Sequence, residues 1–140
     1  MKIALISSTN RPNSQTRKLT KFIESLMKPL LKSHESLHLV DLVELPSELF
    51  SPMSYAEKPK SFEPFTKVMT ECQAMFFVIP EYNGGAPGAL KFFIDMLPFP
   101  QSLSRRPAAF VGLGAGRFGN LRGVEQIEDI LRYRNAYLFG

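Results

Sequence analysis

The 140-residue chain has no tryptophan, a single cysteine, Cys72, and two histidines, His34 and His38. One cysteine excludes an intrachain disulfide framework and supplies too few thiolates for a cysteine-based zinc site, so a reducing compartment is expected. No apolar run approaches the length of a membrane span, and the opening stretch is broken by Ser7 too early for a signal peptide. The expectation is a soluble, cytoplasmic protein. Two phosphate-binding signatures are also missing. The absence of G-x-x-x-x-G-K-[ST] argues against a triphosphate-hydrolysing P-loop, and the absence of G-x-G-x-x-G argues against the dinucleotide fingerprint. The 17 Lys and Arg exceed the 13 Asp and Glu, but they are scattered, with only Arg17-Lys18 and Arg105-Arg106 adjacent. That pattern argues against a nucleic-acid surface, while a mild positive excess helps to attract anionic phosphorylated cofactors.

What is present reads as one domain over residues 1–140, because 44% hydrophobic residues suffice for one closed core at this length. Ile3-Ala4-Leu5-Ile6, within Lys2 to Ser7, is the continuous apolar run of a strand buried on both faces. Leu19, Phe22, Ile23, Leu26, Met27 and Leu30 follow at helical spacing, with Pro29 ending the last turn. A second strand is expected at Leu37 to Leu42, and then Pro46, Pro52, Pro59 and Pro64 punctuate a long surface connection. Phe65, Val68, Met69 and Cys72 mark a short helix, and Ala74 to Ile79, the most hydrophobic segment, reads as the central strand. A helix from Gly88 to Leu97, a strand from Ala108 to Leu113 and a helical stripe at Leu121, Val124, Ile127, Ile130 and Leu131 complete the alternation. Tyr137 to Phe139 begins a fifth strand.

Strands alternating with helices imply a parallel sheet in a three-layer α/β sandwich, joined by right-handed crossovers. Ligands of such sheets bind beyond the carboxyl ends of the strands, where the strand order reverses. Three loops lie at that edge: Ser7 to Thr16, Pro80 to Gly88 and Gly112 to Arg122. The first joins a buried strand to a helix, so the free amides of the helix start face the cleft and suit a phosphate. Thr9, Ser14 and Thr16 add hydroxyls and Arg11 a fixed positive charge. Ser14 or Thr16 serves equally well as a helix cap worth about 1 kcal/mol. The second loop supplies glycines that let backbone approach a flat ligand, and Tyr82 either contacts the ligand or a partner subunit or packs on its own loop.

Taken together, Ser8-Thr9-Asn10-Arg11-Pro12-Asn13-Ser14-Gln15-Thr16, Pro80-Glu81-Tyr82-Asn83-Gly84, Pro87-Gly88-Ala89-Leu90-Lys91 and Ile94-Asp95 resemble the NADPH-dependent FMN reductase family, which includes azoreductase-like and chromate- or quinone-reducing flavoproteins. The resemblance implies a flavodoxin-like fold of four to five parallel strands in the order 2-1-3-4-5, with non-covalent FMN. It implies that Thr9, Arg11, Ser14, Gln15 and Thr16 hold the FMN phosphate. Pro80, Glu81, Tyr82, Asn83 and Gly84 would border the isoalloxazine ring, and Gly114, Gly116 and Arg117 its pyrimidine edge. Two departures stand out. Ser8 occupies a position where the family usually has glycine, and the chain stops at Gly140, which would leave the last strand short or missing.

With FMN bound, the flavin carries the chemistry and the protein orients it, so no catalytic side chain and no metal is expected. The expected activity is transfer of hydride from NADPH or NADH through FMN to a small acceptor such as a quinone, an azo compound, free flavin or a metal oxyanion. Competing readings are a non-enzymatic flavin electron carrier and a shortened interaction module without cofactor. His34 and His38 fall away from the three loops, Cys72 sits on an apolar stripe as a core residue, and Asp95 receives no catalytic role. The resemblance also implies a homodimer or homotetramer, to which Phe92, Phe93, Phe99 and Pro98 to Pro100 would contribute unless they belong to the core. The sequence places no arginine for a 2′-phosphate, which leaves NADPH and NADH both open.

Overall fold

The computed structural model describes residues 1–139. Five strands, β1 (Lys2–Ser7), β2 (Ser36–Asp41), β3 (Ala74–Pro80), β4 (Pro107–Leu113) and β5 (Tyr137–Phe139), form one sheet in the order β2-β1-β3-β4-β5. Every pairing is parallel. Four helices alternate with them: α1 (Gln15–Met27), α2 (Glu63–Glu71), α3 (Gly88–Met96) and α4 (Leu121–Tyr133). The expected order is thus the one found, and the last strand is short, at three residues.

The register explains which side chains meet. Ala4 lies beside Met75 and Ile6 beside Phe77, while Met75 lies beside Ala108 and Phe77 beside Phe110. These residues share one face of the sheet, because side chains alternate along a strand. They form the main core with Met69 of α2, Leu90, Phe93 and Ile94 of α3, and Ile127 and Leu131 of α4. Phe77 and Phe110 stack at 5.7 Å. Leu5 and Val78 point to the opposite face, are fully buried, and stand outside that cluster. α1 packs there, against β1, β2 and β3. The crossovers β2 to β3, β3 to β4 and β4 to β5 advance one way along the sheet and β1 to β2 the other, so right-handedness puts α1 alone on its face among the described residues. The side chains of β4 and β5 that alternate onto that face, Ala109, Val111, Leu113, Tyr137 and Phe139, are half-buried or exposed.

Two expectations need correction. In α1, Phe22 and Leu26 are more than half exposed, and Leu30 lies beyond the helix in a 3-10 turn. The face turned to the sheet carries Thr16 and Thr20, both buried, with Leu19, Ile23 and Met27 half-buried. Thr20 donates its hydroxyl to the Thr16 carbonyl at 2.8 Å, which satisfies that polar group within the helix and lets the backbone approach closely. The connection after β2 is also more than surface. Its 3-10 turns bury Leu42, Leu49 and Phe62 completely, and Phe50 stacks on Phe92 at 4.8 Å. Of the three phenylalanines left open between core and interface, Phe93 is core, Phe92 is partly buried against it, and Phe99 is exposed.

Candidate functional site

The strand order reverses between β1 and β3, and the loops after β1, β3 and β4 converge there. They enclose a cleft of about 610 Å³ lined by Arg11, Pro12, Asn13, Ser14, Gln15 and Thr16 from the first loop and α1, by Pro80, Glu81 and Tyr82 from the second, and by Leu113, Gly114 and Ala115 from the third. That volume lies within the range of small-molecule sites.

The first loop presents a helix start. Asn13 adopts φ 54°, a left-handed conformation that asparagine tolerates, and Ser14 caps α1 by accepting from the Arg17 amide at 3.1 Å. The Lys18 amide bonds to the Ser14 carbonyl. The Gln15 and Thr16 amides have no carbonyl four residues back in the helix and remain available to an anion. Arg11 is exposed at the mouth and makes no ion pair among the described residues.

The second loop is a two-residue hairpin. Tyr82 and Gly85 exchange backbone bonds of 2.9 and 3.1 Å, and the turn between them, Asn83-Gly84, has φ of 52° and 76°. Positive φ at both positions is the type I′ signature for which Asn-Gly is preferred. The hairpin is braced to both neighbours. The Tyr82 hydroxyl bonds to Thr9 Oγ1 at 2.6 Å, the Glu81 amide donates to the Leu113 carbonyl at 2.8 Å, and the Ala86 amide donates to Gln126 Oε1 of α4 at 2.9 Å. In the third loop, Asn120, left-handed at φ 68°, donates from Nδ2 to the Ile79 carbonyl at 2.9 Å. A methyl group on Gly114 would stand 2.9 Å from Glu81 Oε2 and 3.0 Å from the Asn120 amide. A side chain here would oblige the Glu81 carboxylate and the Asn120 backbone to give way, so glycine suits the close approach of the walls. Cross-braced loops hold the cleft's shape in advance of any ligand, which lowers the ordering cost of binding.

Of the residues singled out in the sequence, Arg11, Ser14, Gln15, Thr16, Pro80, Glu81, Tyr82 and Gly114 line this one cleft. Thr9 is buried behind it, where its hydroxyl meets Tyr82 and accepts from the Arg11 amide at 3.2 Å. Asn83 and Gly84 form the turn rather than the wall, and Gly116 and Arg117 lie exposed further along the third loop. Ser8 is fully buried, bonds through its amide to the Val78 carbonyl, and does not line the cleft. Its substitution for glycine thus places no side chain in the cavity. Pro12 and Asn13, part of the first motif, and Leu113 and Ala115, within the third loop, line the cleft although no role was assigned to them individually. The bracing residues Asn120 and Gln126 also went unseen, because each acts through a partner more than 35 residues away.

Residues assigned no role stay outside the cleft. His38 bonds through its ring to Ser36 Oγ, the Asp95 carboxylate pairs with Lys91 one turn back, and Cys72 is buried, where desolvation pushes its thiol pKa up. A raised thiol pKa opposes thiolate formation and nucleophilic chemistry. Among the described residues there is no group of three or more metal-ligating side chains, and no helix is long and apolar enough to cross a membrane.

The parallel order 2-1-3-4-5 with a cleft at the β1/β3 reversal defines a flavodoxin-like α/β protein, a class whose ligands sit at this switch point. The chain belongs to the NADPH-dependent FMN reductase family, whose model matches residues 1–140. It is 33% identical over 105 residues to an NAD(P)H-dependent FMN reductase of Pseudomonas aeruginosa, a match covering 73% of this chain and 56% of that protein. A quinone reductase of Pseudomonas putida is 31% identical over 133 residues, covering 92% of this chain and 68% of the relative. Among solved structures, a flavoenzyme NAD(P)H:acceptor oxidoreductase of Paracoccus denitrificans superposes with a TM-score of 0.79 at 23% identity, covering 99% of this chain and 75% of that one. The chain thus spans little more than half the length of the first of these relatives.

Proposed function

We propose that residues 1–140 act as one FMN-binding domain of an NAD(P)H-dependent oxidoreductase whose acceptor is a small molecule of the quinone type. The observation that carries this reading is the convergence of three mutually braced loops on one cleft, with a helix start and an unpaired arginine at one end and close-packed glycine backbone at the other. The donor set fits FMN. The amides of Gln15 and Thr16, the Ser14 hydroxyl and Arg11 suit a phosphate, while Pro80, Glu81, Tyr82, Gly114 and Ala115 form a wall that a flat ring can lie against. Asn83 and Gly84 set the turn that holds Tyr82 in place.

Bound FMN would supply two-electron transfer between nicotinamide and acceptor. The chain's own work is positional. Arg11 and the start of α1 fix the phosphate end, and the Tyr82 to Thr9 bond locks the second loop to the first. The Glu81 to Leu113 and Ala86 to Gln126 bonds keep the ring wall from opening. No side chain of the cleft has to form a covalent bond. The resemblance to a quinone reductase supports the acceptor class. Assembly into homodimers or homotetramers, a cytoplasmic location and the absence of a nucleic-acid partner belong to the same proposal, supported by the family, the single buried cysteine and the dispersed charge.

The deciding experiment titrates FMN into purified apoprotein and follows quenching of flavin fluorescence, then adds NADPH or NADH and a quinone. Saturation near one FMN per chain, with nucleotide oxidation that requires both FMN and quinone, is the expected result. Saturable FMN binding without nucleotide oxidation would reduce the protein to an electron carrier, and no binding would overturn the reading altogether.

A further inference from the structure

A parallel sheet is ordinarily covered by helices on both faces, and here half of one face lies open. Phe76 of β3, Ala109 and Val111 of β4, and Tyr137 and Phe139 of β5 alternate onto the same face as Leu5 and Val78. All five are half-buried or exposed, and among the described residues the only helix on that face is α1, which packs on β1, β2 and β3. α1 turns an apolar flank to the opening. Its buried Thr16 and Thr20 mark the side that lies on the sheet, and Arg17, about 100° further round, reaches Asp41 of β2. The opposite flank carries Phe22 and Leu26, both more than half exposed, and it faces across β3 towards β4.

The opening has the dimensions of a helix. Two strands about 4.8 Å apart span about 10 Å, the diameter of an α-helix with its side chains. β4, seven residues long, is matched in length by about 15 residues of helix. The charge beside the opening is one-sided. Lys18, one turn before Phe22 on the same flank, is exposed and in no ion pair among the described residues, whereas Glu24, the one acidic residue of α1, pairs with Lys28. A second copy of the chain is a poor complement, because none of the side chains around the opening is acidic and a net charge of +4 opposes self-association.

We propose that this trough docks an amphipathic α-helix of another protein, laid along β4 with its apolar stripe on the sheet and on Phe22 and Leu26, and with acidic residues beside Lys18. Burial of the stripe supplies the affinity, and the charge selects between partners. The trough lies on the α1 face of the sheet, and the inference does not rest on the FMN reading of the cleft.

The test uses two fluorescein-labelled synthetic peptides of about 15 residues, each with leucines at helical spacing, one flanking them with glutamates and the other with lysines. Their fluorescence anisotropy is followed as purified protein is added in excess FMN. The glutamate peptide should bind saturably, and roughly fivefold more tightly than the lysine peptide, the scale of a surface ion pair. Lys18→Glu should reverse that order. Phe22→Glu and Tyr137→Glu, on opposite walls of the trough, should each weaken the glutamate peptide by about tenfold or more, since each buries a charge against the apolar stripe. Both residues are largely exposed, so the variants keep the fold, which circular dichroism checks. Met53→Glu should leave binding unchanged: Met53 is equally exposed, but it lies in the connection whose Phe50 and Tyr55 pack on Phe92 of α3. Absence of saturable binding, binding unaltered in both trough variants, or an order of the two peptides that Lys18→Glu does not change overturns the proposal. Sedimentation velocity of the protein alone completes the test. An oligomer that both Phe22→Glu and Tyr137→Glu dissolve would make a second copy the occupant and overturn it as well.

Discussion

At the scale of single residues, the most exacting demand lies beside the cleft rather than in it. Asp41, at the end of β2, is almost wholly buried, and its carboxylate meets Arg17 Nε of α1 at 2.6 Å while also accepting from the Val43 amide. A second acidic partner, Glu44, lies 3.5 Å from the same guanidinium but is largely exposed. Removing one member of a buried pair costs more than the pair contributes, because the remaining charge stays desolvated. Arg17 is about one-third exposed, so water offsets part of that penalty. Arg17→Ala should therefore lower the stability of the protein by about 2–3 kcal/mol, somewhat less than for a fully enclosed pair. Adding Asp41→Asn should recover much of the loss. Urea midpoints of the two single variants and the double variant check this, and additive losses would show that the two groups do not interact.

At the scale of elements, the strands were legible as short, mainly apolar runs, with β1, β2 and β3 closed by Ser7, Asp41 and Pro80 and β4 followed by glycine, and β1 and β5 have the bounds expected of them. The Asn-Gly turn was visible as a glycine-rich loop, but its hairpin geometry was not, since an isolated loop does not announce which backbone groups will pair. The inward face of α1 was misread for a physical reason. Hydrophobic spacing locates an apolar arc, but the small side chains of Thr16 and Thr20, the latter with its hydroxyl bonded to the Thr16 carbonyl, let the helix sit closer to the sheet than phenylalanine or leucine would, so Phe22 and Leu26 fall on the flank. The connection after β2 hid its core residues among prolines. It is organised around Glu48, whose carboxylate accepts from Ser61 Oγ at 2.6 Å and whose carbonyl accepts from Ser54 Oγ at 2.9 Å. The Ser61 bond, foremost, holds the Glu48 pKa below its ordinary value. A carboxylate with a depressed pKa in the folded state contributes stability above its unfolded pKa and loses it as pH falls through the folded one. Glu71, held down chiefly by Lys2, and Glu35, held down chiefly by the Lys32 amide, act in the same sense. Ser61→Ala should make the protein less stable at neutral pH and flatten the acid side of its stability curve below pH ~4, with faster amide exchange confined to residues 47–62. An unchanged acid slope would show that Glu48 is not part of the acid response.

At the scale of the whole molecule, the cleft is assembled from loops separated by most of the chain, and the bonds that brace it also tie β1, β3 and β4 to α4. A ligand that fills it should therefore stabilise the entire fold and not one loop. The gain follows from mass action, about 2.7 kcal/mol when free FMN is one hundred times its dissociation constant. For a chain of this size that raises Tm by on the order of 10 °C. Arg11 separates ligand effects from scaffold effects, because its side chain is exposed and unpaired among the described residues. Arg11→Ala should leave the Tm of the apoprotein unchanged, yet weaken FMN binding by roughly ten- to one-hundredfold through loss of charge-assisted bonds to the phosphate. At the same FMN concentration the thermal shift of the variant should then shrink to half or less of that of the unmodified protein. Calorimetric melts of both proteins with and without FMN provide the measurement. A full shift in the variant would remove Arg11 from the phosphate site, and an equal fall in both melts would make it a structural residue instead.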